Sequence, residues 1–213
     1  MAKYELEGLF SVKGKTAAIT GAAGILCGEM ALALADLGMK IAILDLREEA
    51  AAELAQKVKQ RGGEAMAVGC NVLKRESVEQ ACAKIVAAWG QVDCLINGAG
   101  GNRKDATTSP QTSFFDLPDE ALKFVFELNC IGTILPSQIF GRQMAQQKHG
   151  CIINISSMAA VRPLTNVIGY SAAKGAVSNF TQWLSVHLAQ NYSKDIRVNA
   201  IAPGFFLTEQ NRF

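Results

Sequence analysis

Histidine, long apolar runs and charge of one sign are all scarce in this sequence. Its 213 residues include 2 histidines, His149 and His187, and neither lies in a carboxylate-rich spacing that would suit a metal ion. The formal net charge is +2, with positive and negative residues interspersed and no basic block. The sequence therefore predicts no metal site, and nothing in it favours a nucleic acid or an anionic membrane as a partner.

Targeting and membrane-spanning patterns are also missing. Residues 1–14 mix charges of both signs and lack the apolar stretch of a secretory signal, and no run approaches the roughly 18 apolar residues that span a bilayer. The cysteines have no CxxC spacing, which indicates buried thiols in a reducing compartment. They are Cys27, Cys70, Cys82, Cys94, Cys130 and Cys151. We expect a cytoplasmic protein that does not engage a membrane.

The sequence does contain a regular alternation of short apolar runs and helical patterns. With 49% hydrophobic residues, it predicts one well-buried domain over residues 1–213. The predicted strands are Thr16–Thr20, Lys40–Leu44, Glu64–Gly69, Cys94–Asn97, Cys151–Ile155 and Arg197–Ile201. The predicted helices are Cys27–Leu37, Glu48–Gln60, Glu76–Trp89, Asp119 to about Gln146 and Gly169 to about Asn191. Strict alternation favours a parallel sheet covered on both faces, a doubly wound Rossmann-type α/β/α sandwich.

A tyrosine, a lysine and a serine are spaced for acid–base chemistry. Tyr170 and Lys174 lie one turn apart on a predicted helix, where the ammonium can favour the phenolate. Such a cation matters because the pKa of an unperturbed tyrosine is about 10, above the working pH of most enzymes. Ser157 follows the predicted strand Cys151–Ile155. Because ligands bind beyond the carboxyl ends of parallel strands, we expect the three side chains to share one site.

The first predicted strand runs into a turn of small residues, Thr20 to Gly28, that opens a helix. Small residues let the backbone approach a pyrophosphate, and a helix amino terminus offers free N–H groups. Asp45 ends the second strand, at the distance expected for a carboxylate that binds a ribose. A carboxylate there would repel a 2′-phosphate, which favours NAD over NADP. Two alternatives stay open. Either Asp45 only begins a turn, or Arg47 binds the 2′-phosphate of NADP.

The one long irregular stretch, Gly98 to Pro118, follows the fourth predicted strand. It leaves the sheet at the edge where ligands bind, so we expect it to border the substrate rather than to be an ordinary surface loop.

Taken together, these residues resemble the short-chain dehydrogenase/reductase family in its single-domain form. The resemblance spans the chain and rests on the order and spacing of the following residues: Thr20-Gly21, Asn97-Gly98-Ala99-Gly100, Asn129, Ser157, Tyr170, Lys174, Asn199, Pro203-Gly204 and Thr208. It implies that Tyr170 exchanges a proton with the substrate oxygen while Ser157 orients that oxygen. Lys174 would lower the pKa of Tyr170 and hold the nicotinamide ribose, and Asn129 would perturb its helix and hold a relay water.

The resemblance also implies which residues contact the cofactor. These are Gly21, Ala23, Gly24, Ile25, Leu26, Asp45, Asn71, Val72, Asn97, Ala99, Gly100, Tyr170, Lys174, Pro203, Gly204, Phe206 and Thr208. Two departures from the family pattern stand out. Ile25 and Cys27 occupy the positions of the second and third motif glycines, and Asn71 replaces an aspartate that commonly touches adenine. At the neighbouring Val72 we expect either side-chain packing in the protein or a backbone contact with the cofactor.

The chain ends at Phe213, where the family continues through a substrate-covering segment and a last strand. We therefore expect those parts to be absent from this chain. Standard members are commonly tetramers, which implies a homo-oligomer here.

Within the family, residues 97–102 and 203–212 look most like the D-mannonate oxidoreductase, or fructuronate reductase, group. The implied substrate is a keto or hydroxy sugar acid, which needs a cation for its carboxylate and polar groups for its alcohols. The candidate substrate residues are Asn102, Ser157, Arg162 and Gln210, with Arg162 the first choice for the anion. The alternatives are a gluconate 5-dehydrogenase-like enzyme, a 3-oxoacyl thioester reductase, and a nucleotide-sensing or scaffold protein without turnover.

Overall fold

Six parallel strands form one sheet in the computed structural model, which describes residues 10–162 and 164–206. The strands are β1 (Thr16–Thr20), β2 (Lys40–Asp45), β3 (Glu64–Gly69), β4 (Cys94–Asn97), β5 (Gly150–Ile155) and β6 (Ile196–Ile201). Their order in the sheet is β3-β2-β1-β4-β5-β6, and every neighbouring pair is parallel. The strand order reverses between β1 and β4, which opens a crevice at the carboxyl edge. The predicted doubly wound fold is confirmed.

Helices cover both faces of this sheet. They are α1 (Ile25–Asp36), α2 (Glu48–Gln60), α3 (Arg75–Trp89), α4 (Asp119–Phe126), α5 (Gly132–Gln147) and α6 (Ile168–Asn191). On one face, α1 and α2 pack through residues such as Ala31, Leu54 and Val58. On the other face, α3, α5 and α6 bury a larger cluster that includes Phe140 and Leu184. The helices therefore bury their apolar faces against the sheet, which is the arrangement that stabilises a three-layer α/β sandwich.

The helix predicted from Asp119 to about Gln146 differs from the observed structure in one respect. A π-helical turn, Glu127–Ile131, separates α4 from α5 and has the buried Asn129 at its centre. The sequence periodicity runs through this segment because one wide turn displaces the apolar stripe only slightly. The whole stretch Asp119–Gln147 is long and apolar enough to cross a membrane by length and composition, yet 61% of its most apolar window is buried inside the fold. It is a core helix of the sandwich.

Strands β4 and β5 carry a buried chain of polar side chains. Asn97 lies opposite Asn154 in the strand register and donates to its Oδ1 at 2.8 Å. Asn97 also donates to Ser137 on α5 at 2.9 Å, and Asn154 donates to Thr181 on α6 at 2.8 Å. Because a buried polar group is costly unless it is bonded, these contacts fix α5 and α6 at defined positions over the sheet.

The cysteines are free thiols, and four of them are buried as predicted. The prediction of burial is wrong for Cys94 and Cys151, which are only partly buried. Both lie at or next to the first residue of their strands, at the amino-terminal edge of the sheet.

Candidate active site

The turn between β1 and α1 is held close to the segment that follows β4. Gly21 has a left-handed backbone (φ +63°), and a Cβ on it would lie 2.7 Å from the Cα of Ala99. Only glycine fits both the conformation and the space. The Oγ1 of Thr20 accepts hydrogen bonds from the N–H groups of Gly98 at 3.1 Å and Ala99 at 3.2 Å. This contact explains why a threonine precedes the glycine, and it places Ala99 beside the turn.

The amino terminus of α1 is open to an anion. Gly24 is the N-cap and provides no side-chain cap, and the first turn of α1 has no acidic residue. The N–H groups of Ile25 and Leu26 therefore start the helix with their dipole uncompensated by a carboxylate, which suits a phosphate group. The structure brings the predicted Gly21, Ala23, Gly24, Ile25 and Leu26 together around this helix end. A pyrophosphate fits the donors that this turn presents.

Asp45, at the carboxyl end of β2, lies against the same turn. Its Oδ2 accepts from the Ala23 N–H at 3.0 Å, and its Oδ1 accepts from the Arg47 N–H at 3.0 Å. The Arg47 guanidinium forms an ion pair with the carboxylate at 3.5 Å and donates to the Ala23 carbonyl oxygen at 3.3 Å. The carboxylate is 8% exposed, so it lies in the crevice rather than in bulk solvent. A ribose hydroxyl would find an acceptor here, and Arg47 is already paired with that acceptor.

The unusual residue at the third glycine position, Cys27, has a packing explanation. Its side chain is buried and points toward Gly98, where a Cβ would lie only 2.1 Å from the Cys27 Sγ. The missing side chain at position 98 therefore leaves the space that the sulfur fills. Ile25, at the second glycine position, is 51% exposed and does not crowd the turn from inside the core. Burial raises the pKa of the Cys27 thiol to about 11, so the thiol stays neutral.

Lys174 links Tyr170 to the carboxyl end of β5, two residues before Ser157. The Lys174 Nζ lies 5.5 Å from the centroid of the Tyr170 ring and donates to the Ile155 carbonyl oxygen at 2.7 Å. The half-buried Tyr170 ring packs on Ala121 and Val125 of α4, which restricts its orientation. Ser157 is 8% exposed, and its Oγ accepts from the Ala159 N–H at 3.1 Å. The Ser157 hydroxyl proton can still be donated to a substrate oxygen.

The Lys174 ammonium is buried without a carboxylate partner in the described part of the chain. Its side chain is 4% exposed, and this burial lowers its pKa from 10.5 to about 8. An ammonium has three donors. Within residues 10–162 and 164–206, only the bond to Ile155 is made, which leaves donors for a ribose hydroxyl and for the Tyr170 oxygen. The ammonium is an electropositive centre beside a phenol, which is the arrangement required to stabilise a phenolate.

Asn129 connects the π-helical turn to the loop after β4. Its Oδ1 accepts from the Gly101 N–H at 3.1 Å, and its Nδ2 donates to the Gly101 carbonyl oxygen at 2.6 Å and to the Val125 carbonyl oxygen at 2.8 Å. A Cβ on Gly100 would lie 2.6 Å from the Asn129 Oδ1 and 3.3 Å from the Lys174 Nζ. Gly100 thus allows the amide and the ammonium to approach each other, and Asn129 belongs to the same site as Lys174.

Two further contacts fix the loops around the site. The Ser156 Oγ bonds to Ser178 at 2.7 Å and to the Lys174 carbonyl oxygen at 3.2 Å, which ties the end of β5 to α6. The Met158 N–H donates to the Pro203 carbonyl oxygen at 3.0 Å. The segment with Pro203, Gly204 and the half-exposed Phe206 therefore runs beside the loop that contains Ser157. The predicted Thr208 and Gln210 lie outside the described residues.

The predicted adenine contacts are placed at the end of β3. The Asn71 Oδ1 accepts from the Leu73 N–H at 3.0 Å, so the amide shapes the turn into α3. Val72 is buried and packs against Gly132 at the start of α5. The Val72 side chain is therefore a packing group, and only its backbone can face a cofactor.

The loop after β4 and the segment before α6 line an open pocket of about 450 Å³. Its lining combines hydroxyl and amide groups with apolar side chains, namely Thr108, Ser109, Thr112, Ser113, Phe114, Leu164, Thr165, Asn166, Ile168 and Ser171. Ser171 directly follows Tyr170, and its Oγ is buried without a partner in the described part of the chain. Asn102 donates to Thr107 at 2.8 Å, while its own Oδ1 is buried and unpartnered among the described residues. Arg162 lies exposed at the start of the loop that precedes α6.

Sequence reasoning missed several contacts that build the site. These include the Ile155 carbonyl that receives Lys174, the pairing of Arg47 with Asp45, and the anchoring of β5 by Asn154 and Ser156. One signal was present: Asn154 interrupts an otherwise apolar predicted strand, which indicates a bonded buried amide. The Lys174–Ile155 and Ser156–Ser178 contacts join residues far apart in sequence and give no local pattern.

The chain is similar to known oxidoreductases. A family model described as short chain dehydrogenase matches residues 15–213. An uncharacterized oxidoreductase of Bacillus subtilis, UxuB, is 46% identical over 209 residues, which are 94% of this chain and 74% of the relative. The 5-keto-D-gluconate 5-reductase of Escherichia coli is 34% identical over 204 residues, or 96% of this chain and 76% of the relative. A Haemophilus structure provisionally named a D-mannonate oxidoreductase, solved with bound NAD, superposes with a TM-score of 0.89 at 43% identity, covering 97% of this chain and 76% of its own.

The contact between Gly98 and Cys27 can be tested by a double-mutant cycle. We expect Gly98→Ala to lower the free energy of unfolding by about 1–3 kcal/mol, because the new methyl group overlaps the Cys27 sulfur. Adding Cys27→Ala should recover part of the loss, although the Thr20 carbonyl oxygen remains 2.9 Å from the new Cβ. Chemical denaturation measures both effects. Gly28→Ala, whose Cβ would make an ordinary 3.4 Å contact, is the control. Strict additivity of the two changes would contradict the explanation.

The burial of Lys174 predicts a stability that increases with pH. Between about pH 8 and 10.5 the unfolded chain holds the Lys174 proton and the folded chain does not, so the free energy of unfolding rises with pH over this window and the gain is lost as pH falls through 8. We expect the difference in unfolding free energy between the cofactor-free wild type and Lys174→Met to grow across that window. The exposed Lys84→Met is the control for overall charge. A difference that does not change with pH would show that the ammonium is well solvated.

Proposed function

Because the chain belongs to the short-chain dehydrogenase family and is an NAD-dependent oxidoreductase, we propose that it interconverts a keto and a hydroxy sugar acid. The proposed reaction is the reduction of D-fructuronate to D-mannonate, or its reverse, with Tyr170 as the general acid and base. The observation that carries this proposal is the approach of the buried Lys174 ammonium both to Tyr170 and to the end of β5, the strand that runs into Ser157.

The proposed roles follow from the contacts of each side chain. NADH, when bound, supplies the hydride, and the protein supplies the proton. The Tyr170 hydroxyl gives its proton to the carbonyl oxygen as negative charge develops there, and Ser157 donates a second hydrogen bond to that oxygen. The adjacent Lys174 ammonium stabilises the phenolate that remains, because it lies over the ring in a buried site. Asn129 supports a route by which solvent returns the proton.

NAD rather than NADP is favoured by the carboxylate of Asp45. This group ends β2 in the crevice, and its neighbour Arg47 is held in an ion pair with it. A 2′-phosphate at this place would meet a negative charge, and Arg47 would have to leave its partner to neutralise the phosphate. Two ribose hydroxyls would instead donate to the carboxylate. The related Haemophilus structure, which contains NAD, supports the same assignment.

The polar groups of the pocket support a hydroxylated substrate. The Thr112 hydroxyl and the Ser171 hydroxyl, which has no partner in the described part of the chain, can form hydrogen bonds with substrate alcohols. Arg162 lies at the rim of the loop before α6, and we propose that it binds the substrate carboxylate, with Asn102 contacting an alcohol. Arg103 is less suited to the anion because it is already paired with Asp105 and stacked on Phe124.

A second candidate is the reduction of 5-keto-D-gluconate. The 34% identity to 5-keto-D-gluconate 5-reductase favours it, and the same acid–base side chains would serve. Both substrates carry the ketone on the fifth carbon counted from the carboxylate, and they differ in the configuration of the carbon next to the carboxylate.

We also propose a homotetramer in the cytoplasm, with one cofactor-binding domain formed by the chain. The exposed apolar side chains of Trp183 and Val186 on α6 support self-association, and the free thiols support a reducing compartment. Sedimentation equilibrium tests the assembly, and a monomer at micromolar concentration would contradict it.

The substrate assignment is tested by NADH oxidation with D-fructuronate, 5-keto-D-gluconate and the uncharged sugar D-fructose. We expect kcat/KM for D-fructuronate to exceed that for the other two by at least about tenfold, equivalent to roughly 1.4 kcal/mol.

Tyr170→Phe should lower kcat by about 10²- to 10⁴-fold while NADH affinity stays nearly unchanged, because only the proton donor is lost. Tyr192→Phe, at the far end of α6, is the matched control. Cofactor binding without turnover on any keto acid would favour a sensor, and substantial turnover by Tyr170→Phe would refute the proton-donor role.

The basis of cofactor choice is tested by Asp45→Asn. We expect the ratio of kcat/KM for NADPH to that for NADH to rise at least about tenfold, because the repulsion of the 2′-phosphate is removed while Arg47 becomes available to bind it. The exposed Glu48→Gln removes a nearby charge on α2 and should leave the ratio unchanged. If both variants discriminate as the wild type does, the ribose contact has been misplaced.

A further inference from the structure

Two cysteines face each other across neighbouring strands at the edge of the sheet opposite the active site. Cys94 begins β4, and Cys151 is its direct partner in the parallel register of β4 and β5. Paired residues of a sheet present their side chains on the same face. The two side chains are partly exposed, unlike those of the other four cysteines, which are buried.

The spacing of the two strands suits a bond between the two sulfurs. Neighbouring strands lie about 4.8 Å apart, and disulfides join residues whose Cα atoms are about 4.4–6.8 Å apart. Each thiol shifts the pKa of the other, raising that of Cys94 and lowering that of Cys151, as expected for directly opposed residues of adjacent strands. The strands need no rearrangement of register to bring the two side chains together.

The charges around the pair make the two thiols unequal. Cys151 is also the register partner of Arg197 on β6, and Lys15 lies nearby. The hydrogen bond from Cys94 and these cations lower the pKa of Cys151 to about 7. The same hydrogen bond, with burial and the Asp93 carboxylate, raises the pKa of Cys94. One sulfur is thus prepared to attack, and its neighbour keeps its proton until a second step.

The Asp93 carboxylate does not fully neutralise the positive charges beside the two thiols. Asp93 accepts hydrogen bonds from the Thr16 N–H at 2.8 Å and from Gln91 at 2.9 Å, and its Oδ1 lies 3.9 Å from His149 Nδ1. The carboxylate is therefore partly engaged by other groups, while Arg197 remains exposed beside the thiols. Burial raises the pKa values of the thiols of Cys27, Cys70, Cys82 and Cys130, and these are expected to react slowly.

We propose that Cys94 and Cys151 form a reversible redox dithiol that is oxidised to an intrachain disulfide by low-molecular-weight disulfides. The Cys151 thiolate attacks one sulfur of the reagent, forming a mixed disulfide and expelling one thiolate, which takes up a proton. Cys94 then loses its proton to solvent and attacks Cys151, which expels the second reagent thiolate. Two protein thiols are oxidised by two electrons, and the reagent disulfide is reduced to two thiols.

The bond would restrain two central strands of the fold. β4 and β5 carry Asn97 and Ser157 at or just beyond their carboxyl ends, and a cross-link at their amino-terminal ends fixes the spacing of the pair. The cross-link joins residues that are already direct register partners, so we expect native secondary structure to be kept in the oxidised form.

The test is treatment of the fully reduced chain with oxidised glutathione at neutral pH. Intact mass, thiol titration and peptide mapping should show the loss of two thiols and a cross-link between the Cys94 and Cys151 peptides that dithiothreitol reverses. The Cys94→Ser variant should gain one glutathione on Cys151 and form no cross-link within the chain. The Cys151→Ser variant should gain neither a glutathione nor a cross-link. Cys82→Ser and Cys130→Ser are the matched controls and should behave as the wild type. Circular dichroism before and after treatment identifies a variant or product that has unfolded.

Three outcomes would overturn the proposal. One is a wild-type chain in which glutathione stays on Cys151 without resolution by Cys94. Another is oxidation that joins two chains instead of two strands of one chain. The third is faster reaction at a buried cysteine than at Cys151 in protein that circular dichroism reports as folded.

Discussion

The Lys174 ammonium is buried, and its hydrogen bond to the Ile155 carbonyl oxygen, with 2.7 Å between Nζ and O, replaces part of the hydration that it would have in water. A buried charge tolerates few positions, because each loss of a hydrogen bond costs more in the interior than at the surface. This bond therefore ties α6 to the end of β5 at a fixed height. Tyr170, one turn earlier on α6, and Ser157, two residues beyond Ile155, take their relative positions from it.

The crevice beside this site depends on side chains that are missing. A Cβ on Gly21 would overlap Ala99, and a Cβ on Gly100 would overlap Asn129. Three segments, those after β1, β4 and α4, can approach one another only because these Cβ atoms are absent. The same reasoning accounts for Cys27, one of the two departures from the family's glycine pattern: Gly98 leaves the space that its sulfur fills. A sequence motif thus records the close approach of backbones, and one residue can change where a second one makes room.

The polar chain through Asn97, Asn154 and Thr181 has a different function from the apolar clusters around it. Apolar packing supplies much of the driving force for folding but tolerates small shifts of a helix. Buried amides and hydroxyls tolerate fewer, because a partner that moves away leaves an unbonded group in a medium of low dielectric constant. The active-site helices α5 and α6 are held by such contacts on the sheet. Precision at the site and stability of the core are therefore supplied by different residues.

The sequence by itself determined the alternation of strands and helices, the parallel sheet and the membership of Tyr170, Lys174, Ser157 and Asp45 in two strand-end sites. These features are written in local periodicity and in the order of elements, because a buried parallel strand and an amphipathic helix each impose a spacing on nearby residues. Tertiary structure alone decided the π-helical turn at Asn129, the partner of the Lys174 ammonium and the facing thiols of Cys94 and Cys151. Most of these contacts join residues that are distant in the chain, and the turn leaves the helical period nearly unchanged. Their energies depend on distances between elements, which no local pattern of residues encodes.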